Sequence, residues 1–287
     1  MDTAPALRAA AERQGLATWA ELRRAASRRT IQAAVARGEL VRVARGRYSL
    51  DRSPPPLRSA LRLGGVVSHL SAAQLWMLPT LHPPAVVDVT VPAGSNARAV
   101  RGERLHWTDL GDDETRGRVT SPLRTVLDCA RTLPFADALA VADGAVRLGR
   151  VDGEALAAAA DRCTGKGNRR ARRVARHVDG RAANPFESAL RAVVIELGLT
   201  GFAPQCRVRL PRLRGYVDVG DPTRRIALEA DSFEFHGSRS AFRKDCRRYD
   251  ERTVNGWLVL RFAWEDVMFD RAWVAEVVAG TVALRDR

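Results

Sequence analysis

The stretch "RRIALEADSFEFHG", residues 224–237, decides how the last third of the chain folds. It begins as a buried strand and then sets Glu229, Asp231, Glu234 and His236 within eight positions, although the whole chain carries a formal net charge of +14. Just upstream, "PTRR" (residues 222–225) reads as a four-residue hairpin loop, with "GYVDVG" (215–220) as the partner strand. That register places Asp218 directly opposite Glu229, their side chains about 5 Å apart on one face. Strand alternation puts Asp231 on the same face.

Three carboxylates crowded beside buried strands repel one another, and at least one pKa must rise unless a cation sits among them. A divalent metal held by Asp218, Glu229 and Asp231 resolves the conflict, and an oxygen-only ligand set points to Mg²⁺ or Mn²⁺ rather than zinc. Such an ion supports phosphodiester hydrolysis by activating water and stabilising charge on the phosphate. His236 is placed to move a proton, and Lys244 and Arg248, on the helix that follows, to hold phosphate. A salt-bridged structural edge accounts for the same residues, with Glu229 and Asp231 neutralised by Arg224, Arg247 or Arg261 and His236 as a capping or surface residue.

Around this centre the order of elements is legible. "NPFESALRAVVIELGL" (184–199) is an amphipathic helix with Asn184 as N-cap, Pro185 at the first helical position and Gly198 as its stop. "PQCRVRL", "GYVDVG" and "RRIALEAD" are strands, "SRSAFRKDCRRYDERTVNG" a helix, and "WLVLRFAW" a fourth strand before a final helix. The sequence predicts an α+β multidomain protein whose last domain, 184–287, has the order αβββαβ.

Lysine and arginine total 47 against 33 acids, and Lys166 and Lys244 are the only lysines. A polyanion, nucleic acid first, is the expected partner, since the planar arginine fork suits phosphates and guanine edges. Four scattered cysteines argue against a zinc finger or disulfide scaffold. With neither a signal pattern nor a long apolar run, no membrane association and a reducing cytoplasm are expected. "SPPP" (53–56) reads as a linker after an amino-terminal domain spanning 1–52. A mixed α/β middle region follows over 58–160, and a basic connector or helix over 161–183.

"GLATWAELRRAASRRTIQAAVARGELVRVARGRYSL" (15–50) reads as helix, turn, helix and two-strand ribbon, with Ser27 as N-cap of the second helix and Gly38 as its stop. This is the order of a winged helix-turn-helix. Arg28, Arg29, Thr30 and Gln32 are then the candidate base readers on the second helix, and Arg45 and Arg47 the wing contacts to DNA. In the middle region, Ser121 caps a helix begun by Pro122. Ser68, His69 and Asp128 are read as a capping serine, a packed histidine and an unrelated acid rather than a hydrolase triad, because no nucleophile-elbow motif surrounds the serine.

Two resemblances follow from these residues. The first 50 residues, through "RGELVRVARGRYSL", resemble the winged-helix domain of AbiE-type antitoxins, which implies operator DNA binding and a toxin protein as partner; the segments after the wing resemble the same proteins. The carboxy-terminal hundred residues resemble the very-short-patch-repair-endonuclease-like domain of the PD-(D/E)XK nuclease superfamily. The marks are "PFES" with Glu187, "PQ" with Gln205, "VDV" with Asp218, "LEAD....H" with Glu229, Asp231 and His236, "KDCRRYD" with Asp245 and Arg248, and "GWLVLRFAWEDV". The likeness implies a restriction-endonuclease-like core with Asp218 and Glu229 or Asp231 as metal ligands, Glu187 as an accessory acid and His236 as proton carrier. Asp231 stands where the superfamily pattern often has lysine. The lysine role then falls to Lys244, to His236 or to an arginine. The function expected is DNA binding with metal-dependent endonuclease activity. The alternative is a non-catalytic regulator or antitoxin.

Overall fold

The computed structural model describes residues 2–211, 213–231 and 239–287, with the side chains of residues 239–242 left aside. Among these residues the chain is α+β, with thirteen α-helices and three sheets. It divides into two compact units, one of residues 1–77 and 83–128 and one of residues 78–82 and 129–287. No helix of the described residues is long and apolar enough to cross a membrane.

The first unit opens with α1 (Ala4–Ala11), β1 (Leu16–Thr18), α2 (Trp19–Ala25), α3 (Arg28–Ala36), β2 (Leu40–Ala44) and β3 (Arg47–Leu50). The helix starts are set by local side chains. Thr18 and Glu21 form a reciprocal capping box on α2, and the Ser27 hydroxyl accepts the Thr30 N–H on α3. Gly38 ends α3 at φ +72°, a left-handed turn in which glycine meets no side-chain penalty. β1 adds to the β2–β3 hairpin in the order β1-β3-β2, closing over Leu22, Ile31, Ala34 and Leu40.

The expected linker at 53–56 is instead the entrance of α4 (Pro55–Leu63). Prolines fit the first helical positions because no intrahelical partner is lost there, and the buried Ser53 hydroxyl donates to the Gly15 carbonyl at 3.0 Å. Arg47, expected on a DNA-contacting wing, is committed elsewhere: its Nη1 donates to the carbonyls of Leu61 (3.0 Å) and Arg62 (2.7 Å), satisfying the last turn of α4. Then follow β4 (Val66–Val67), α5 (His69–Leu75), β5 (Val87–Val91), β6 (Glu103–Trp107), β7 (Thr115–Arg116), β8 (Val119–Thr120) and α6 (Pro122–Thr132). The five strands order as β6-β5-β4-β8-β7, with β5 and β6 parallel. The division between units falls within α6.

The second unit continues with α7 (Phe135–Arg147), α8 (Gly153–Arg162), α9 (Asn168–His177), α10 (Pro185–Glu196), β9 (Ala203–Arg209), β10 (Arg214–Asp221), β11 (Ile226–Asp231), α11 (Arg239–Val254), β12 (Leu258–Ala263), α12 (Trp264–Phe269) and α13 (Arg271–Arg285). Its sheet runs β12-β11-β10-β9, antiparallel except for the parallel β11–β12 pair. Asn184 caps α10, and α10, α12 and α13 bury Leu190, Val194, Val267, Val274 and Val278 against Val219, Ile226, Leu228 and Phe262 of the sheet.

Helices that the sequence assigned to the middle region and the connector are clasped to α10. Asp143 of α7 accepts from Arg191 Nη2 (2.6 and 2.8 Å), Ser188 Oγ (2.8 Å) and the Asp179 N–H (2.8 Å), and Arg191 Nη1 reaches the His177 carbonyl (2.7 Å). Both charged side chains are buried. Asp143→Ala strands the Arg191 charge, so we expect a loss of about 3–5 kcal/mol, read as a lower urea midpoint with unchanged slope. An unfolding free energy within about 0.5 kcal/mol of the parent's, the range of an ordinary surface substitution, would contradict this.

Candidate active site

The hairpin that sets the site is fixed by Asp221. Its fully buried carboxylate accepts the N–H groups of Thr223 (2.9 Å) and Arg224 (3.0 Å) and pairs with Arg224 Nη1 (2.7 Å), an Asx turn that closes the loop 222–225. The ladder then pairs Asp221 with Ile226, Gly220 with Ala227 and Val219 with Leu228. Beyond Val219, side chain replaces backbone: Asp218 Oδ2 accepts the Ala230 N–H at 2.8 Å. β10 and β11 part at this point, and the acids lie where they part.

The opening is a cleft of about 1320 Å³ whose lining includes Glu187, Asp218, Glu229, Asp231, Lys244 and Arg248. These six come from one helix, two strands and a second helix. Five of the six expected catalytic residues are therefore gathered in one place, while His236 lies outside the described residues. Lys244 and Arg247 are exposed, and Arg248 is half-buried, with its Nη2 3.4 Å from Asp245 Oδ1.

Each acid has a distinct environment. Glu187 accepts the Ala183 N–H (2.8 Å), Asn184 Nδ2 (2.9 Å) and Gln205 Nε2 (2.8 Å). Gln205 holds a left-handed backbone, at φ +47°. Burial raises the Glu187 pKa, and the Glu229 charge adds to it. Burial also raises Asp218 to about 6, with the Glu187 charge the next cause, and Glu229 to about 7, with the Asp218 charge the next cause. Glu229 rises even though it touches Arg252, a guanidinium 0% exposed that also donates to the Tyr216 carbonyl at 2.9 Å. Asp231 pairs with Arg261, which stacks 4.4 Å over the Tyr249 ring.

The cation expected among three acids is thus partly supplied by the chain. The sequence reading offered Arg261 as a structural neutraliser and missed Arg252, which lies on α11, 23 residues beyond Glu229. Asp231 is engaged by Arg261, and the crowded carboxylates whose pKa values are lifted toward neutrality are Asp218 and Glu229, with Glu187 beside them. Those two fit a hard divalent cation, which would replace their protons.

A second constellation lies in the first unit. Among the described residues, one group of three metal-capable side chains has its ligand atoms within 4.8 Å of one another: His69, Asp88 and His106. Ser68 makes no cap hydrogen bond to α5, against expectation, and its Oγ lies 2.9 Å from His69 Nδ1. Asp88 in "VVDVTVP" and His106 in "RLHWTDL" were not singled out in the sequence, since alternation around β-strands is their only local signal.

Of the residues expected to contact DNA in the first unit, Arg28, Arg29 and Gln32 are exposed on the first turns of α3, and Arg45 is exposed at the β2–β3 turn. Thr30 Oγ1 is 2.9 Å from Ser27 Oγ.

No family model matches the chain. It is 28% identical over 269 residues, covering 88% of this chain and 96% of the relative, to the uncharacterized protein MT2308 of Mycobacterium tuberculosis strain CDC 1551 / Oshkosh. The same identity and coverage hold for the uncharacterized protein Rv2248 of strain ATCC 25618 / H37Rv. The crystal structure of the RV2827C protein from Mycobacterium tuberculosis aligns with 65% of this chain and 79% of its own at 16% identity and a TM-score of 0.36.

The raised pKa values fix a pH dependence. Between the unfolded carboxylate range near pH 4 and the folded values of about 6 and 7, the native protein binds more protons than the unfolded chain, so these groups lose stabilising effect as pH rises through that window. Asp218→Asn removes the repulsion, and we expect its melting temperature to fall less than the parent's between pH 5 and 8. Parallel curves would show that the acids do not share their charge.

Proposed function

We propose that the chain is a DNA-binding protein whose second unit carries a metal-dependent, endonuclease-type site for phosphodiester hydrolysis. The observation that carries this reading is the Asp218–Glu229 pair, crowded and with raised pKa values, in a cleft lined by Lys244, Arg247 and Arg248. Asp218 and Glu229 would hold Mg²⁺ or Mn²⁺, with Glu187 as the accessory acid. The chemistry such an ion supplies is activation of water and stabilisation of charge on the phosphate. Lys244 and Arg248 bind and orient the phosphodiester. Glu187, held by Gln205 and Asn184, keeps the negative charge of the site in a fixed position. The αβββαβ order and the strand order β12-β11-β10-β9 are consistent with the PD-(D/E)XK resemblance.

The first unit supports the DNA-binding half of the reading. α2, α3 and the β2–β3 hairpin follow the order of a winged helix-turn-helix, with Arg28, Arg29, Thr30 and Gln32 on the reading helix and Arg45 at the wing tip. Arg47 drops out of the DNA contacts because it holds α4. The exposed arginines Arg169, Arg170 and Arg176 of α9 add to the basic surface of the second unit.

A second reading, a non-catalytic DNA-binding regulator of toxin–antitoxin type with a toxin protein as partner, is favoured by one specific arrangement. Arg252 on Glu229 and Arg261 on Asp231 set guanidinium groups of the chain itself against two of the acids.

Incubation with plasmid and branched DNA in Mg²⁺, Mn²⁺ or chelator separates the readings. Metal-dependent cutting lost in Asp218→Asn supports the nuclease; salt-sensitive binding with no cutting in any metal supports the regulator. For the first unit, Arg29→Ala should weaken specific DNA binding by about 1–3 kcal/mol in a titration at fixed salt, and unchanged affinity would remove α3 from the interface.

A further inference from the structure

Away from the acidic cleft, the first unit brings together a donor set of different chemistry. His69 begins α5, Asp88 lies on β5 and His106 on β6, so three separate elements converge. His69 is 7% and Asp88 4% exposed, and His106 is half-buried. His106 Nε2 is 2.8 Å from Asp88 Oδ1, and the two imidazoles stack with centroids 3.6 Å apart and planes 19° from parallel. Arg104 Nη1 stands 3.8 Å from the same Asp88 oxygen.

Two features go beyond the packing of a core. His69 holds a left-handed backbone at φ +52°, uncommon for a residue with a Cβ. Thr90, 3% exposed, has a buried hydroxyl with no hydrogen-bond partner among the described residues. Strand alternation puts Thr90 on the face of Asp88, and the parallel β5–β6 register puts it opposite His106. A buried, unpartnered hydroxyl on the sheet face of Asp88, in register with His106, is a polar group in want of a ligand.

We propose that His69, Asp88 and His106 bind one divalent transition-metal ion of the zinc class, through two imidazole nitrogens and one carboxylate oxygen. The donor set decides the class: neutral imidazoles with a single carboxylate favour Zn²⁺, Co²⁺ or Ni²⁺ over Mg²⁺ and Ca²⁺, which take oxygen. Imidazole lone pairs lie in the ring plane, so two stacked rings cannot both point at one ion. Binding therefore turns one ring out of the stack and replaces the Asp88–His106 hydrogen bond with two bonds to the ion. Ser68 Oγ, beside His69 Nδ1, and the Thr90 hydroxyl orient the ligands and any remaining water from behind. The ion would fasten the start of α5 to the β5–β6 pair, and it is separate in residues and chemistry from the acidic cleft.

The test uses the full chain, stripped with chelator and titrated with Zn²⁺ by calorimetry, beside Asp218→Asn, His69→Gln and His106→Gln. One Zn²⁺ bound by the parent and by Asp218→Asn, with affinity at least about 100-fold lower in the histidine variants, supports the site. Absence of Zn²⁺ binding at micromolar concentration, or equal binding by the histidine variants, overturns it. If a histidine variant fails to fold, Co²⁺ loaded onto the parent protein decides the matter. Intense visible bands of a tetrahedral nitrogen–oxygen site support the proposal, and weak octahedral bands or none overturn it.

Discussion

Asp218 and Glu229 are forced together at the point where β10 and β11 part, and the second unit is arranged around the cost of that proximity. Asp221 closes the loop, the ladder carries the register down to Val219 and Leu228, and Asp218 then takes the Ala230 N–H that the next ladder bond would have used. Burial raises both pKa values, the Glu187 charge pushes Asp218 further up and the Asp218 charge pushes Glu229 further up. Arg252 relieves part of this from beneath Glu229, and the hydrogen bonds of Gln205 and Asn184 hold Glu187 in place. What remains is a fixed, under-compensated negative site in a strongly basic protein, the kind of site that selects a small hard cation or a bound proton.

The sequence disclosed those parts of the fold that depend on neighbours along the chain. Ser27 and Asn184 cap the helices they precede, Gly38 and Gly198 end helices in left-handed turns, and the four-residue loop sets the hairpin register. Each is decided within a few residues, so composition and spacing carry it. The expected gathering of Glu187, Asp218, Glu229, Asp231, Lys244 and Arg248 around one cleft needed the order of elements as well, and that order was legible from the alternation of strand and helix patterns.

What escaped the sequence depends on partners far along the chain. Arg252 is one of many arginines in α11, and nothing local marks it as the one whose side chain is buried on Glu229. Arg47 alternates with apolar residues as a solvent-facing wing residue would, yet the carbonyls at the end of α4 capture it. Leu16–Thr18 is too short to read as a strand and becomes one by pairing with β3. "SPPP" has the composition of a linker, but prolines serve equally at a helix entrance. Asp88 and His106 sit on parallel strands whose register no local signal sets. The helices α7 to α9 read as a middle region and connector because their bond to α10, through Asp143 and Arg191, spans 48 residues.

The central claim is that Asp218 and Glu229 hold exchangeable protons whose place a divalent cation takes. Calorimetric titration of the full chain with Mn²⁺ near pH 6, repeated in buffers of different ionisation enthalpy, measures this directly, because proton release scales the observed heat with the buffer. The account predicts saturable binding with release of about one proton or more per ion, lost in Asp218→Asn. Binding heat independent of the buffer, or no uptake of metal at all, would contradict it.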